Sequence, residues 1–369
     1  MGKVIGFVNL HHTLELGSLT ESRSIASTPF LGRYAFIDFT LSNFCNSGID
    51  IVGILVKKNQ RSLVKHLGNS NAWNINTKQG TNTILYNERE ARDSVYNHDI
   101  NNILENDWFL KKYHGDYIVI APAHFVMAIN YQDVIKKHCE NKAGITVVYQ
   151  SVDNAKTHFS HCDVVNVENR IVTSLKRNSG TKDKVNISLE TYVISASKFE
   201  EIIYKVSKVS ALYNMRDIIA YLVKSELVYG YEHIGYVRCF DSLHHYMSYS
   251  LELLDYAKRQ QLFIDNWPIF TVTNDTPPTK YLENADVKNS FISNGAIIDG
   301  TVHNSILSRN VVVKKGAEVI NSIVLTDCVI AEDCHLENVI IDKYAKIIHC
   351  KNIKGTKKQP MFIKQGDVV

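Results

Sequence analysis

A chain of 369 residues is long enough for about two domains, and 45% hydrophobic against 21% charged residues is a globular composition that excludes a wholly disordered chain. Lysine plus arginine number 41 and aspartate plus glutamate 38, a formal net charge of +3, which excludes the basic excess of a sequence-blind nucleic-acid binder. Glycine (18) and proline (6) are both scarce, so the chain is poor in flexible loops.

In chain order, the short apolar, β-branched runs Val4 to Val8, Ile49 to Val56, Tyr117 to Ala121 and Gly144 to Tyr149 predict strands. Apolar spacing predicts helices over Tyr131 to Glu140 and Met215 to Leu227, and a further helix over Ser248 to Gln261. Strands alternating with helices imply an α/β fold with a mostly parallel sheet, in which ligands sit beyond the carboxyl ends of strands. The stretch from Asn266-Trp-Pro-Ile-Phe through Asp275-Thr-Pro-Pro holds three of the six prolines and reads as an interdomain linker.

The tetrapeptides Asn289-Ser-Phe-Ile, Asn304-Ser-Ile-Leu, Asn321-Ser-Ile-Val and Asn338-Val-Ile-Ile begin 15, 17 and 17 residues apart. Within them Leu307, Val313, Val319, Val324, Ile330, Leu336, Ile341 and Ile347 step by 6, 6, 5, 6, 6, 5 and 6, and Ile292 to Ile298 adds another 6. Neither a helix, with its beat near 3.6, nor a single strand, with its beat of 2, explains this spacing. A triangular coil of three short strands does, with one apolar side chain per face aimed at the axis. The expected organisation is therefore an α/β domain over 1–262, a linker over 263–280 and a parallel β-helix domain over 281–369.

The seven cysteines, at 45, 139, 162, 239, 328, 334 and 350, form no CxxC pair and suggest neither a disulfide framework nor a zinc site. They are expected to be reduced packing residues. No apolar stretch approaches the roughly 18 residues of a membrane span, and the opening MGKVIGFVNLHH is too short an apolar run for a signal peptide. The expectation is a cytoplasmic protein with neither membrane nor nucleic acid as a partner.

Gly32-Arg-Tyr-Ala-Phe-Ile-Asp-Phe-Thr-Leu-Ser-Asn43, followed by Asn46-Ser-Gly-Ile49, resembles the G-R-Y-R-x-I-D-F-x-L-S-N-x-x-N-S-G-I signature of the glucose-1-phosphate adenylyltransferase (ADP-glucose pyrophosphorylase) family. His66-Leu-Gly-Asn69 with Trp73 is similar to that family's H-I-G-x-G-x-x-W segment, Trp267-Pro-Ile to its linker, and Gly300-Thr-Val-x-Asn-Ser305 to its β-helix. The resemblance spans essentially the whole chain. It implies a Rossmann-like nucleotidyltransferase domain followed by a left-handed parallel β-helix of hexapeptide repeats. It also implies a reaction in which glucose 1-phosphate attacks the α-phosphate of ATP, giving ADP-glucose and pyrophosphate on the way to glycogen or starch. Such chemistry needs backbone amides and cations around the phosphates and carboxylates that hold magnesium.

Against those requirements this chain departs at four places. The family's L-A-G-G-x-G-T-R-L loop aligns with Val8-Asn-Leu-His-His-Thr-Leu-Glu15-Leu, so Leu10, His11 and Thr13 replace three glycines and Glu15 replaces an arginine. A glutamate there repels a triphosphate. His11 and His12 could serve as a phosphate or metal pair, although adjacent residues rarely converge on one ion. The family's S-G-D-H is Ala121-Pro-Ala-His124, which puts Ala123 at one magnesium aspartate, and W-R-D-V is Val237-Arg-Cys-Phe, which puts Cys239 at the other. Asp241, two positions on, could substitute only after a backbone shift. E-E-K-P becomes Leu175-Lys-Arg-Asn178, and M-G-I-Y becomes Leu189-Glu-Thr-Tyr192.

These departures predict no catalytic residues, with Glu15, Ala123 and Cys239 as degraded positions, and no metal or cofactor, the family's magnesium having lost its ligands. Arg33, His66, Lys176 and Arg177 remain as candidate ligand-binding residues. The implied role is a non-catalytic or weakly active GlgD-type regulatory subunit. It would assemble with and activate a catalytic GlgC-type paralogue in a hetero-oligomer, expected to be a tetramer, with a sugar phosphate or nucleotide as a possible effector. The alternative is an active adenylyltransferase with a metal site rebuilt around Asp241 and the histidines. A hexapeptide-repeat acyltransferase is disfavoured by the large α/β domain ahead of the coils.

Overall fold

The structure is a computed structural model and describes residues 2–12, 14–68, 71–73, 80–87, 97–206 and 214–369. Contacts group the chain into two units, the first of Met1–Leu14, Ile37–Cys239 and Asp265–Phe270, the second of Glu15–Phe36, Phe240–Ile264 and Thr271–Val369. Two segments within the first 262 residues thus group with the coils.

The first unit is built on a nine-stranded sheet. Its strands are β1 (Val4–Asn9), β2 (Ile51–Val56), β3 (Thr81–Tyr86), β4 (Tyr117–Pro122), β5 (Ile145–Val152), β6 (Asp163–Glu168), β7 (Ile171–Arg177), β8 (Val185–Ser195) and β9 (Val228–Glu232), in spatial order β3-β2-β1-β4-β8-β5-β9-β7-β6. The block β3-β2-β1-β4 is wholly parallel, and β5 pairs parallel with β9. The long β8 enters antiparallel between β4 and β5. Every residue of β2 is buried, as expected of a continuous apolar run inside a parallel sheet. Phe7, Phe109 and Phe199 pack together in the core beneath it.

The helix Tyr131–Glu140 forms over the span that its apolar spacing predicts. Met215–Leu222 stops earlier than Leu227, where the Ser225 hydroxyl donates to the Leu222 carbonyl (3.4 Å) and satisfies one acceptor of the last turn. The span Ser248 to Gln261 divides between two helices, Leu243–Glu252 and Tyr256–Leu262. Asp255 causes the break, because its carboxylate caps the second helix by accepting from the Lys258 N–H (3.0 Å). Among the described residues no helix is long and apolar enough to cross a membrane.

In the second unit, residues from Lys280–Tyr281 to Met361–Ile363 form three five-stranded sheets, one per face, in which every pairing is parallel, a left-handed β-helix. Leu307, Val313, Val319, Val324, Ile330, Leu336, Ile341 and Ile347 are all buried along its axis, as their spacing requires. The repeated asparagines mark a corner. Asn289, Asn304, Asn321 and Asn338 all have left-handed backbone, with φ of 43°, 48°, 46° and 53°, a conformation that asparagine tolerates better than most residues. The serine that follows ties coil to coil. The Ser290, Ser305 and Ser322 hydroxyls accept from the N–H groups of Ser305, Ser322 and Val339 at 3.1, 3.0 and 3.1 Å. The last coil is longer, its turn closed by Thr356 N–H to Gln359 C=O (3.0 Å).

Two features join the outlying segments of this unit to the coils. Gly32 has φ +79°, and a side chain there would meet Ser293 Oγ at 2.4 Å and the Leu307 carbonyl at 3.1 Å, so backbone conformation and close approach both call for glycine. Arg23 donates to Asp342 (2.6 Å) with both side chains buried. No disulfide links the seven cysteines, and five of them are buried.

Leu336→Ala removes a fully buried axial side chain and is expected to cost about 2–5 kcal/mol. Urea denaturation followed by circular dichroism reads this; a loss below about 1 kcal/mol would contradict the axial core.

Candidate functional site

Beyond the carboxyl ends of β1 and β4, the first unit encloses a cavity of about 260 Å³. Its lining includes His12, Lys57, Asp99, Arg177, Glu190 and Arg216. Glu190 lies on β8 where the pairing with β5 slips between Ser188 and Thr191. Its φ is +49°, and its side chain is buried.

Three side chains face that carboxylate. His12 Nδ1 lies 2.7 Å from Oε2, His124 Nε2 lies 3.8 Å from the same oxygen, and Arg216 Nη1 lies 3.3 Å from Oε1. Arg216 Nη1 is also 3.1 Å from His12 Nε2, so the imidazole accepts from Arg216 on one nitrogen and donates to Glu190 from the other. Arg216 Nε donates to the buried Asp163, and its Nη2 to the His161 carbonyl (3.1 Å). Burial alone would raise the Glu190 carboxyl. The His12 hydrogen bond and the charges of His124, His12 and Arg216 outweigh it and hold the group down at about 2. At the other end, burial raises the Asp99 carboxyl to about 6, despite its bonds from Asn9 Nδ2 (2.7 Å) and the Met215 N–H (3.1 Å).

His11 and His12 diverge. His11 is buried against Asn102 Nδ2 (3.1 Å), and burial above all pushes its ring down to about 3. Thr13 and Asn69 lie outside the described residues. His12, His124 and Glu190 do bring ligand atoms within 4.8 Å of one another, a spacing a divalent ion could use. The His12 nitrogens are however both engaged, and a guanidinium sits against the carboxylate.

Ala123 and Cys239, where the family's motifs carry aspartates, lie on neighbouring segments. Ala123 follows β4, and Cys239 pairs with Phe125 across the short ribbon of Phe125–Met127 and Val237–Cys239. Both are buried, and Cys239 Sγ lies 3.6 Å from Cys162 Sγ. A methyl and a thiol do not fit magnesium, which takes oxygen ligands. Asp241, on the second unit, is paired with His245.

The remaining candidates scatter. Arg177 reaches the cavity rim, donating to the His161 carbonyl (2.9 Å), while Lys176 beside it is exposed and Glu15 is exposed on the second unit. His66 does not line the first unit's cavity. Its Nε2 is 2.6 Å from the fully buried Asp38, and it packs near Trp73, whose indole donates to the Phe270 carbonyl (3.0 Å). Arg33 lines a second cavity, of about 450 Å³ within the second unit, together with Arg259 and Arg309 and no carboxylate. Sequence reading missed Glu190, Arg216, Arg259 and Arg309 as site residues. For Glu190 the signal was present: a charged residue at the glycine of M-G-I-Y.

A nucleotidyl transferase family model matches residues 15–160, and a GlmU-like C-terminal hexapeptide model matches residues 277–359. The chain is 32% identical to "Glycogen biosynthesis protein GlgD" of Bacillus subtilis, covering 98% of this chain and 95% of that protein. It belongs to the glucose-1-phosphate adenylyltransferase family, on the GlgD side. The GlgD protein of Geobacillus stearothermophilus is 36% identical over 99% of this chain and 97% of its own length. A "Glucose-1-phosphate adenylyltransferase" of Fervidobacterium nodosum is 30% identical over 88% and 79%. Within that family, this chain presents a nucleotidyltransferase fold whose cavity holds a buried carboxylate.

Arg216→Ala strips a buried guanidinium from Asp163 and Glu190 and is expected to cost about 3–5 kcal/mol at neutral pH. Because Glu190 is depressed from 4.5 to about 2, its contribution is present above 4.5 and is lost as pH falls through 2. The deficit of the variant should therefore narrow as urea denaturation is repeated at descending pH below 4.5; a deficit independent of pH would contradict the pairing.

Proposed function

We propose that this chain is a non-catalytic or weakly active regulatory subunit of glucose-1-phosphate adenylyltransferase in glycogen biosynthesis. It acts in the cytoplasm by assembling with a catalytic GlgC-type paralogue and raising its activity. The observation that carries this reading is the pair of buried, non-oxygen side chains, Ala123 and Cys239, at the positions where the family's motifs carry aspartates. Without those carboxylates a magnesium-bound triphosphate has no protein anchor there. The near-full-length similarity to proteins named for glycogen biosynthesis supports the pathway. The alternative of a rebuilt metal site is weakened by the pairing of Asp241 with His245 and of His11 with Asn102.

Activation of a partner requires that subunit contact favour the partner's active conformation, a coupling free energy rather than chemistry. The rigid faces of the β-helix are suited to such contact, since stacked coils lose little entropy on docking. An anionic effector has a fitting receptacle in the cavity of Arg33, Arg259 and Arg309, where planar guanidinium groups suit phosphate oxygens.

Alone with magnesium, ATP and glucose 1-phosphate, the purified chain is expected to give only background ADP-glucose, whereas an active enzyme would turn over at about 1 s⁻¹ or more. Mixed with the catalytic paralogue, it should form a heavier complex by light scattering, with altered saturation kinetics. No complex and unchanged kinetics would refute the subunit reading. In calorimetry, a sugar bisphosphate should bind the chain and Arg33→Ala should weaken it about tenfold. Silence across sugar phosphates and nucleotides would remove the effector while leaving assembly untouched.

A further inference from the structure

We infer that the first unit's cavity is an anion site that the chain closes with its own Glu190 carboxylate, which occupies the place of a bound phosphate. The backbone is the first indication. Glu190 holds φ +49° at a slip in the β8–β5 pairing, a left-handed conformation that is unfavourable for a non-glycine residue. Such a conformation persists only where surrounding contacts offset it. The contacts are those of an anion receptor: a guanidinium fixed by Asp163, and two imidazoles meeting at a ring-centroid distance of 5.3 Å. All converge on the two oxygens of one carboxylate.

The receptor is also directed inward from several elements. His12 follows β1, His124 follows β4, Arg216 opens the helix Met215–Leu222, and Lys57 and Arg177 stand on the lining. Four charged carboxyl or carboxylic groups face the cavity or its guanidinium. Asp163 is spent on Arg216, Asp99 is raised toward neutrality, Asp217 lies on the lining, and Glu190 sits at the focus. Guanidinium and imidazole N–H donors arranged around one point bind a phosphate monoester or inorganic phosphate as readily as a carboxylate. What excludes such a ligand is the Glu190 side chain itself, through both its volume and its charge. A cation is the less suitable occupant, because it would have to displace the proton that His12 shares with Glu190 and approach Arg216.

The test needs only the isolated chain and does not depend on assembly with a paralogue. Inorganic phosphate is titrated calorimetrically into wild type, Glu190→Gly, Glu190→Asn and the double variant Glu190→Gly with Arg216→Ala. Glycine and asparagine both suit the left-handed backbone, so at least one variant is expected to fold, as thermal melting reports. Any heat from the arginine cavity of the second unit is common to all four proteins, and the single variants should show an added phosphate site, at least about tenfold tighter than any wild-type binding. The double variant should lose that gain. Histidine ring resonances of His12 and His124 should shift with phosphate in the single variants and stay fixed in wild type. Folded Glu190→Gly and Glu190→Asn proteins that show no phosphate site beyond those of wild type would overturn the inference. So would wild type that binds phosphate as tightly as they do, or binding that survives loss of Arg216.

Discussion

Arg216 cannot shed its proton, so burying its guanidinium obliges the fold to supply carboxylates around it, and that obligation organises the centre of the first unit. Asp163 at the start of β6 and Glu190 in the middle of β8 provide them, from strands that come together only through the antiparallel insertion of β8. His12 then bridges the two charged partners, and His124 closes the remaining side. The result is a polar cluster held by its own members, within a cavity that in a nucleotidyltransferase fold is the place for ligand phosphates. Internal neutralisation of this kind rigidifies a pocket while making it a poor receptor for an external anion.

The same economy runs through the family signatures, whose residues serve the fold. Asp38 and His66 pair with each other, Asn43 joins the Met127 carbonyl to the Trp267 indole, and Ser42 accepts from the Phe270 N–H. Gly32 is required by a close approach to a coil of the β-helix. These residues build the fold. Positions 123 and 239 stand elsewhere and carry a methyl and a thiol, groups that are favourable in a buried site. Chemistry and architecture are carried by different side chains, so one can be lost without the other.

The β-helix supplies stiff faces whose coils are locked by serine hydroxyls and by axial apolar side chains. A rigid element of this sort transmits a subunit contact without dissipating it in loop motion, which is what coupling between subunits demands. The cavity lined by Arg33, Arg259 and Arg309 lies on the same unit.

The β-helix was determined by the amino-acid sequence alone, because a 6-residue apolar beat and a left-handed corner asparagine are local properties that repeat. The α/β character of the first unit and the helix Tyr131–Glu140 were equally legible, being runs that need no partner. Only the tertiary structure decided which polar residues meet. His12, Glu190 and Arg216 are far apart in the chain, and nothing local marks them as neighbours. It also separated Arg33, in a cavity, from His66, in a structural pair with Asp38, although the same signatures carry both. Periodicity is written residue by residue, whereas a buried charge acquires its meaning from whichever distant group the fold sets against it.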